Sequence, residues 1–314
     1  MALPLRPPVA PQLARTRPEL PTGDGWVYEP KWDGFRAIVF VDGTDVTIQS
    51  RNGRPLTRYF PELKFPEARL VLDGEIVILG DDGFADFDAL QNRIHPAESR
   101  IRLLSEQTPA RFLAFDLLAE EDESLLELPF SERRRRLELL TERGISLTPF
   151  TADAADAEQW LHKGEGVVAK ETAAPYLPGE RRGMAKIKRV RTIDCVVVGW
   201  RPGKHEGTVG ALILGLYDQA GELHVVGHSS GFSAKEKREL PAMLARFETG
   251  RRGSGEPSRW SAGRELEWIE LRPELVVEVT FDHVSGGRIR HGTKILRFRD
   301  DKKPSECSLD QLGA

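Results

Sequence analysis

The 314-residue chain has only two cysteines, Cys195 and Cys307. Two cysteines without a metal-ligand spacing exclude a disulfide framework and a zinc site, and they suit a reducing interior. The expectation is one small buried residue, Cys195, and one tail residue, Cys307. No apolar run approaches the ~20 residues of a membrane-spanning helix, so no membrane partner is expected. The start, Met1 to Pro8, lacks the apolar stretch of a secretory signal, and together these absences predict a cytoplasmic protein. G-x-x-x-x-G-K-[ST], H-E-x-x-H and G-x-S-x-G are all missing, which excludes P-loop NTPase, zincin and hydrolase chemistry of those types. An excess of positive charge is missing too, since the net charge is −4. Residues 191–314 carry 19 Lys or Arg against 18 Asp or Glu, and residues 1–190 carry 26 against 31. Any attraction for a phosphate backbone must therefore come from local basic patches and be salt-sensitive.

What is present is organised around Glu29-Pro30-Lys31-Trp32-Asp33-Gly34-Phe35-Arg36. Lys31 reads as a nucleophile. An amine attacking phosphorus must be neutral, and a lysine of reference pKa ~10.4 needs cationic neighbours or desolvation to become so. Lys186 and Lys188, alternating in Met184-Ala185-Lys186-Ile187-Lys188, share one face of a strand and can supply that field and hold a triphosphate. Gly34 is expected to let the backbone approach a ligand, and Arg36 to offer a planar fork to a phosphate or a strand end.

Along the chain, Pro7 to Ala14 should lie extended over the surface. Trp26 to Glu29, Phe35 to Val41 and Val46 to Gln49 read as strands. Arg51 follows the third of these, either as a turn residue or as a bidentate phosphate ligand. Leu70 to Leu79 is a β-rich run interrupted by Asp73-Gly74-Glu75, and carboxylates there are costly to bury without partners, so Glu75 is a site candidate or a strand-end surface acid. Asp86 to Ile94 predicts a helix with Phe87, Leu90 and Ile94 on one face, and Phe115 lies on a strand over Arg111 to Leu118. Ser131 to Glu142 predicts a helix capped by Ser131 and ended by Gly144, its Arg133 to Arg136 run being a solvated face or a phosphate contact. Another helix is expected over Asp153 to His162. Glu165 precedes an apolar strand ending at Lys170, and it offers a hard oxygen ligand for a divalent ion.

After a hinge at Arg189 to Thr192, five strands are predicted: Ile193 to Trp200, Val209 to Tyr217, Leu223 to His228, Leu275 to Phe281 and Lys294 to Arg299. A capping box, Ser233 to Glu236, opens a helix that Pro241 should break or kink. Five strands and one helix in about 120 residues fit an oligonucleotide/oligosaccharide-binding (OB) barrel.

The order of these motifs, from Lys31 to Arg297-Phe298-Arg299-Asp300-Asp301-Lys302, resembles the covalent nucleotidyltransferases. Within them it resembles the ATP-dependent DNA ligases, in particular the bacterial C and D types. The resemblance covers nearly the whole chain. It implies an α+β fold, with a nucleotidyltransferase (adenylation) domain of antiparallel sheets and flanking helices over residues 1–190 and an OB-fold β-barrel over residues 191–314. The implied enzyme is a DNA ligase that takes AMP from ATP on Lys31, passes it to a 5′-phosphate and lets a 3′-hydroxyl displace it. The nucleotide would be held by Glu29, Arg36, Glu75, Phe115, Lys170, Lys186 and Lys188, with Glu75 on the ribose and Phe115 stacked on the base. A phenylalanine in a strand is otherwise an ordinary core residue. Arg299 and Lys302 would orient the departing pyrophosphate, although basic clusters near a C-terminus are commonly tails. Arg51 would meet the 5′-phosphate of the nick, and Glu165 and Glu75 would hold Mg2+ or Mn2+. Implied partners are nicked duplex DNA and end-joining or polymerase proteins, for a monomer associated with the bacterial nucleoid and acting in DNA repair. Other classes left open are an RNA ligase, a GTP-dependent capping enzyme and a non-catalytic nucleic-acid-binding protein.

Overall fold

The structure is a computed structural model that describes residues 3–80, 83–189, 191–255, 266–281, 284–285, 287–289 and 293–312. The chain divides into two compact units, residues 1–189 and 190–314. No helix among the described residues is long and apolar enough to cross a membrane.

The strands of the first unit are β1 (Arg15–Thr16), β2 (Trp26–Pro30), β3 (Phe35–Gly43), β4 (Asp45–Ser50), β5 (Ala68–Val77), β6 (Arg111–Glu120), β7 (Glu123–Ser124), β8 (Gly166–Glu171) and β9 (Met184–Lys188). They make two sheets, ordered β4-β3-β5-β6-β7 and β1-β9-β8-β2. Every pairing is antiparallel except β1 with β9, which is parallel. β3 and β5 are near-continuous apolar runs because both of their faces are covered: Val39, Val41, Leu70 and Leu72 belong to one core, Ile38, Phe40 and Val71 to another. Helices α1 (Phe87–Gln91), α2 (Glu98–Gln107), α3 (Phe130–Leu139) and α4 (Ala154–Lys163) flank the sheets. Asp86 caps α1 through Ala89 N–H at 2.9 Å and Asp153 caps α4 through Ala155 N–H at 2.8 Å.

Several expectations are corrected here. The proline-rich segment is exposed only in part: Pro7, Pro8 and Ala10 face outward, whereas Val9 packs with Leu3 and Leu5 on Ile38, Phe40, Val71 and Leu118, and Gln12 is 2 % exposed. Apolar side chains at every few positions give that segment a face to bury. The cap of α3 is Pro129 rather than Ser131, although Gly144 ends the following 3-10 turn with φ of +89° as expected. Ile94 lies beyond α1 and is exposed. The arginine run of α3 is solvated only in part: Arg133 and Arg134 are buried, whereas Arg135 is exposed and Arg136 half-buried. Arg133, 1 % exposed, donates to both oxygens of Asp116 at 2.8 and 3.0 Å and to the carbonyls of Leu128 and Ala174. Arg134 donates to Glu138 and to the Thr148 carbonyl, while Arg135 and Arg136 pair with Glu132. Helix α2 had no expectation, because only Ile101 and Leu104 of its ten residues are buried.

The second unit contains β10 (Arg191–Pro202), β11 (Val209–Tyr217), β12 (Leu223–Ser229), α5 (Ala234–Leu244), β13 (Glu248–Gly255), β14 (Leu266–Leu271), β15 (Val276–Phe281), β16 (Val284–Ser285), β17 (Arg288–Ile289) and β18 (Lys294–Phe298). One curled sheet runs β12-β11-β10-β14-β13, with β15 pairing both β10 and β18, as an OB-type barrel requires. β13 was not foreseen, since Glu-Thr-Gly-Arg-Arg-Gly-Ser-Gly has no strand propensity and is held by its pairing with β14. The capping box of α5 is present, with Ser233 N–H to Glu236 at 2.7 Å. The helix nevertheless continues through Pro241 to Leu244. Burial of Leu240 and Leu244 on either side of Pro241 offsets the one backbone bond that proline removes. Cys307 is fully buried in this core beside Cys195, not in a loose tail.

The Arg133–Asp116 pair sets a stability prediction. Arg133→Ala leaves a buried carboxylate without its partner and should cost about 3–5 kcal/mol, read as a lower midpoint in urea unfolding.

Candidate active site

Between the two sheets of the first unit lies a cavity of about 310 Å³, lined by residues of β2, β3, β5, β6, β8 and β9 and of the loop after β2. Lys31, Glu29, Arg36, Arg51, Glu75, Phe115, Lys170 and Lys186 all border it. Two expected members, Lys188 and Glu165, are not in its lining. Lys188 stands two residues along β9 from Lys186, opposite Gly166 in the register, and its charge still reaches Lys186. Glu165 belongs to the turn before β8, where its carbonyl accepts from Arg189 N–H at 3.3 Å. Arg299 and Lys302 are in the second unit, and both bind Asp194, at 3.0 and 2.7 Å.

Lys31 follows β2, and its backbone N–H donates to the Gly166 carbonyl at 2.9 Å, which fixes the loop that carries it. Gly166 has φ of +137°, and a side chain there would run into the Ile187 carbonyl. Gly34 is also constrained, although not by a ligand: a Cβ there would meet Glu75 Cγ at 2.8 Å and the Ile76 carbonyl. Its missing side chain lets the loop pack on β5. Trp32 steadies the same loop by donating from its indole to Thr148 Oγ1 at 2.7 Å.

Arg36 does not present an open fork. Its Nε and Nη2 donate to the two oxygens of fully buried Asp73 at 3.0 and 2.6 Å, and its guanidinium lies over the Phe115 ring at 5.2 Å. The strand register places Arg36 beside Glu75, so Asp73, on the same face of β5 two residues away, captures the arginine.

At the opposite wall Lys170 Nζ meets Glu29 Oε2 at 2.8 Å and donates to the Phe115 carbonyl at 3.0 Å. Burial pushes Glu29 up and Lys170 down, and each is pulled back by its partner. Glu29 Oε1 and Arg134 Nη1, 3.7 Å apart, are buried without a hydrogen-bond partner among the described residues. Phe115, Val168 and Met184 supply apolar surface to the same cavity.

Desolvation lowers the Lys186 pKa, helped by Lys188, Lys31, Arg181 and Arg51. Burial raises Glu75 to about 8, with Asp73 and Asp33 adding to the rise and Arg36 and Lys31 opposing it. Arg181 is a wall residue that the motifs did not flag, although two arginines just before the Lys186 strand were a usable signal. Asp33 and Trp32 were quoted within the Lys31 stretch but given no part.

A second, open cavity of about 550 Å³ shares Gly34, Arg36 and Arg51 with the first and adds Phe35, Arg54, Tyr59 and Ile94. A basic pocket with Lys31 in its lining thus adjoins a second, more open basic groove. The family described as "ATP dependent DNA ligase domain" matches residues 11–188, and "ATP dependent DNA ligase C terminal region" matches residues 205–302. The chain belongs to the ATP-dependent DNA ligases.

It is 45 % identical to DNA ligase C1 of Mycolicibacterium smegmatis over 99 % of this chain and 96 % of that one. DNA ligase C of Mycobacterium tuberculosis is also 45 % identical, over the same shares. Among solved structures, the ligase domain of M. tuberculosis LigD is 32 % identical with a TM-score of 0.54, covering 95 % of this chain and 97 % of that one. The expected fold class, an adenylation domain and an OB-type barrel, is therefore that of this ligase. The complete LigD of M. smegmatis is longer, and the match spans 37 % of it.

Glu75 carries a pH prediction. Its folded-state pKa lies above its ordinary value, so the fold takes up a proton relative to the unfolded chain and loses stability as pH rises from about 4.5 to about 8. Glu75→Gln should flatten that part of the melting-temperature profile, whereas an unchanged slope between pH 5 and 8 would place the titration elsewhere.

Proposed function

We propose that the protein seals 3′-hydroxyl/5′-phosphate nicks in duplex DNA, with residues 1–190 as the adenylation domain and residues 191–314 as the barrel. The observation that carries this reading is the shared wall of the two cavities. Lys31 borders a pocket of about 310 Å³ proposed for the nucleotide, and Arg36 and Arg51 border both that pocket and the groove beside it. A phosphate on Lys31 is then within reach of a strand end held in the groove.

In this reading the adenine lies against Phe115, Val168 and Met184. The unpartnered Glu29 Oε1 accepts its exocyclic amine. Guanine offers a carbonyl oxygen at that place, which a buried carboxylate oxygen repels, so the geometry favours ATP over GTP and disfavours a capping enzyme. Glu75 meets the ribose, and Lys186 holds the triphosphate with Arg181 and Lys188 adding charge. Lys31 attacks the α-phosphorus, a bond forms between its Nζ and that phosphorus, and pyrophosphate leaves. Arg299 and Lys302 orient the pyrophosphate, with Asp194 keeping the two cations side by side. The AMP then passes to the 5′-phosphate near Arg51, and the 3′-hydroxyl displaces it, so that one hard displacement becomes three easier ones.

A divalent ion fits this pocket. Asp33 and Glu75 border it, and a cation there would offset the burial that raises Glu75 and the smaller repulsion from Asp73 and Asp33. Mg2+ is usually held by one or two carboxylates plus substrate phosphates, and Asp33 and Glu75 could supply those carboxylates for it or for Mn2+. Such an ion neutralises charge developing on the phosphates. Glu165, outside the lining, stands as an outer contributor. The relatives named as end-joining or DNA repair proteins point to repair as the setting, with end-joining or polymerase proteins as partners.

Incubation with ATP labelled in the α-phosphate should leave acid-stable label on the protein, while labelled GTP should leave little. Lys31→Ala should abolish the label yet still seal a pre-adenylated nick better than it performs the whole reaction. Label persisting on Lys31→Ala would remove this lysine from its role.

A further inference from the structure

Behind the cavity wall runs a buried chain of contacts that joins Arg36 and Asp73 to two residues outside the motif stretches, Tyr176 and Gln12. Tyr176, in the segment between β8 and β9, is 2 % exposed. Its hydroxyl donates to Asp73 Oδ2 at 2.6 Å and accepts from the Gln12 backbone N–H at 3.0 Å. The same Asp73 oxygen takes Arg36 Nη2, and the other takes Arg36 Nε. Gln12 is anchored in turn by its side-chain amide on the Arg182 carbonyl at 2.6 Å. Residues far apart in sequence thus meet on one carboxylate.

We infer that Tyr176 is a positioning residue for the DNA-dependent steps, fixing Arg36 through Asp73. The inference rests on the nick-sealing reading. Arg36 is one of three residues in the wall shared by the nucleotide pocket and the groove, so its orientation matters most when a group passes from one to the other. Arg36 also lines the first pocket, but lysine adenylation moves no group across the shared wall, so it is the less sensitive step.

A carboxylate gripping a guanidinium at two points turns as one plate with it, so whatever fixes the carboxylate fixes the arginine. Only one hydroxyl outside the pair does this: Tyr176 supplies the third hydrogen bond that the two Asp73 oxygens accept among the described side chains. Phe115 bears on the guanidinium from its face, 5.2 Å away, and leaves rotation in the plane to Asp73 and Tyr176. Burial and the neighbouring Asp73 charge keep the phenol protonated, so it stays a donor at every working pH.

The test is Tyr176→Phe, which removes the hydroxyl and keeps the ring. On a nicked duplex, kcat should fall about tenfold, while the single-turnover rate of lysine adenylation and the KM for ATP stay within about twofold. Combining Tyr176→Phe with Arg36→Lys separates positioning from mere support. If Tyr176 acts through Arg36, the second change adds less than about twofold to the loss that Arg36→Lys already causes. Wild-type rates in Tyr176→Phe, equal losses in adenylation and sealing, or multiplying losses in the double variant would each overturn the inference. Sealing by the wild-type protein is read in parallel, so failure of the nick-sealing reading itself shows there and not in the variants.

Discussion

Lys170 ties the first unit together at the point where the chemistry happens. Its ammonium leaves β8, pairs with Glu29 on β2 and donates to the carbonyl of Phe115 on β6, so one cation spans the two sheets. It is also packed between the rings of Phe115 and Phe130, at 4.5 and 4.6 Å. A buried charge of this kind is tolerable only with partners on every side. Each partner is thereby fixed, and the wall against which a base can lie becomes rigid. The pocket is consequently a by-product of how the sheets are held apart, and on another wall Arg36 and Asp73 make a second partnered ion pair, within a single sheet.

The fold was legible where patterning was strong. The apolar runs of β3, β5 and β10 and the capping box of α5 could be read directly, because each carries a local signal that tertiary packing reinforces. β13 could not, since its glycines and arginines adopt a strand only by pairing with β14. Pro241 misled for the opposite reason: a strong local signal was outweighed by the burial of its neighbours Leu240 and Leu244.

The candidate site shows the same division. Lys31, Glu75, Phe115, Lys170 and Lys186 were visible as motif members, and the structure gathers them into one lining. What the motifs could not give is which charged groups are already spoken for. Arg36 looked like a free fork and is held by Asp73, and Arg133 looked like a surface cation and is buried on Asp116. Pairing is a property of three-dimensional neighbours, and Tyr176 and Gln12 join Asp73 from positions no spacing rule connects.

The pairing of β1 with β9 bears on how such a chain is made. Arg15 lies opposite Ala185, and Leu3, Leu5 and Val9 pack on a core cluster whose members include Leu118 and Tyr176. Residues 3–16 can therefore begin to dock through Val9 on Gln49, Ile38 and Phe40, but their full set of contacts exists only once Tyr176 and β9 are present. Contacts of such long sequence separation form late, because loop closure must precede them. The β4-β3-β5-β6 sheet can assemble while synthesis continues, and the segment's last contact with the fold, the β1–β9 pairing, forms only after β9 has emerged.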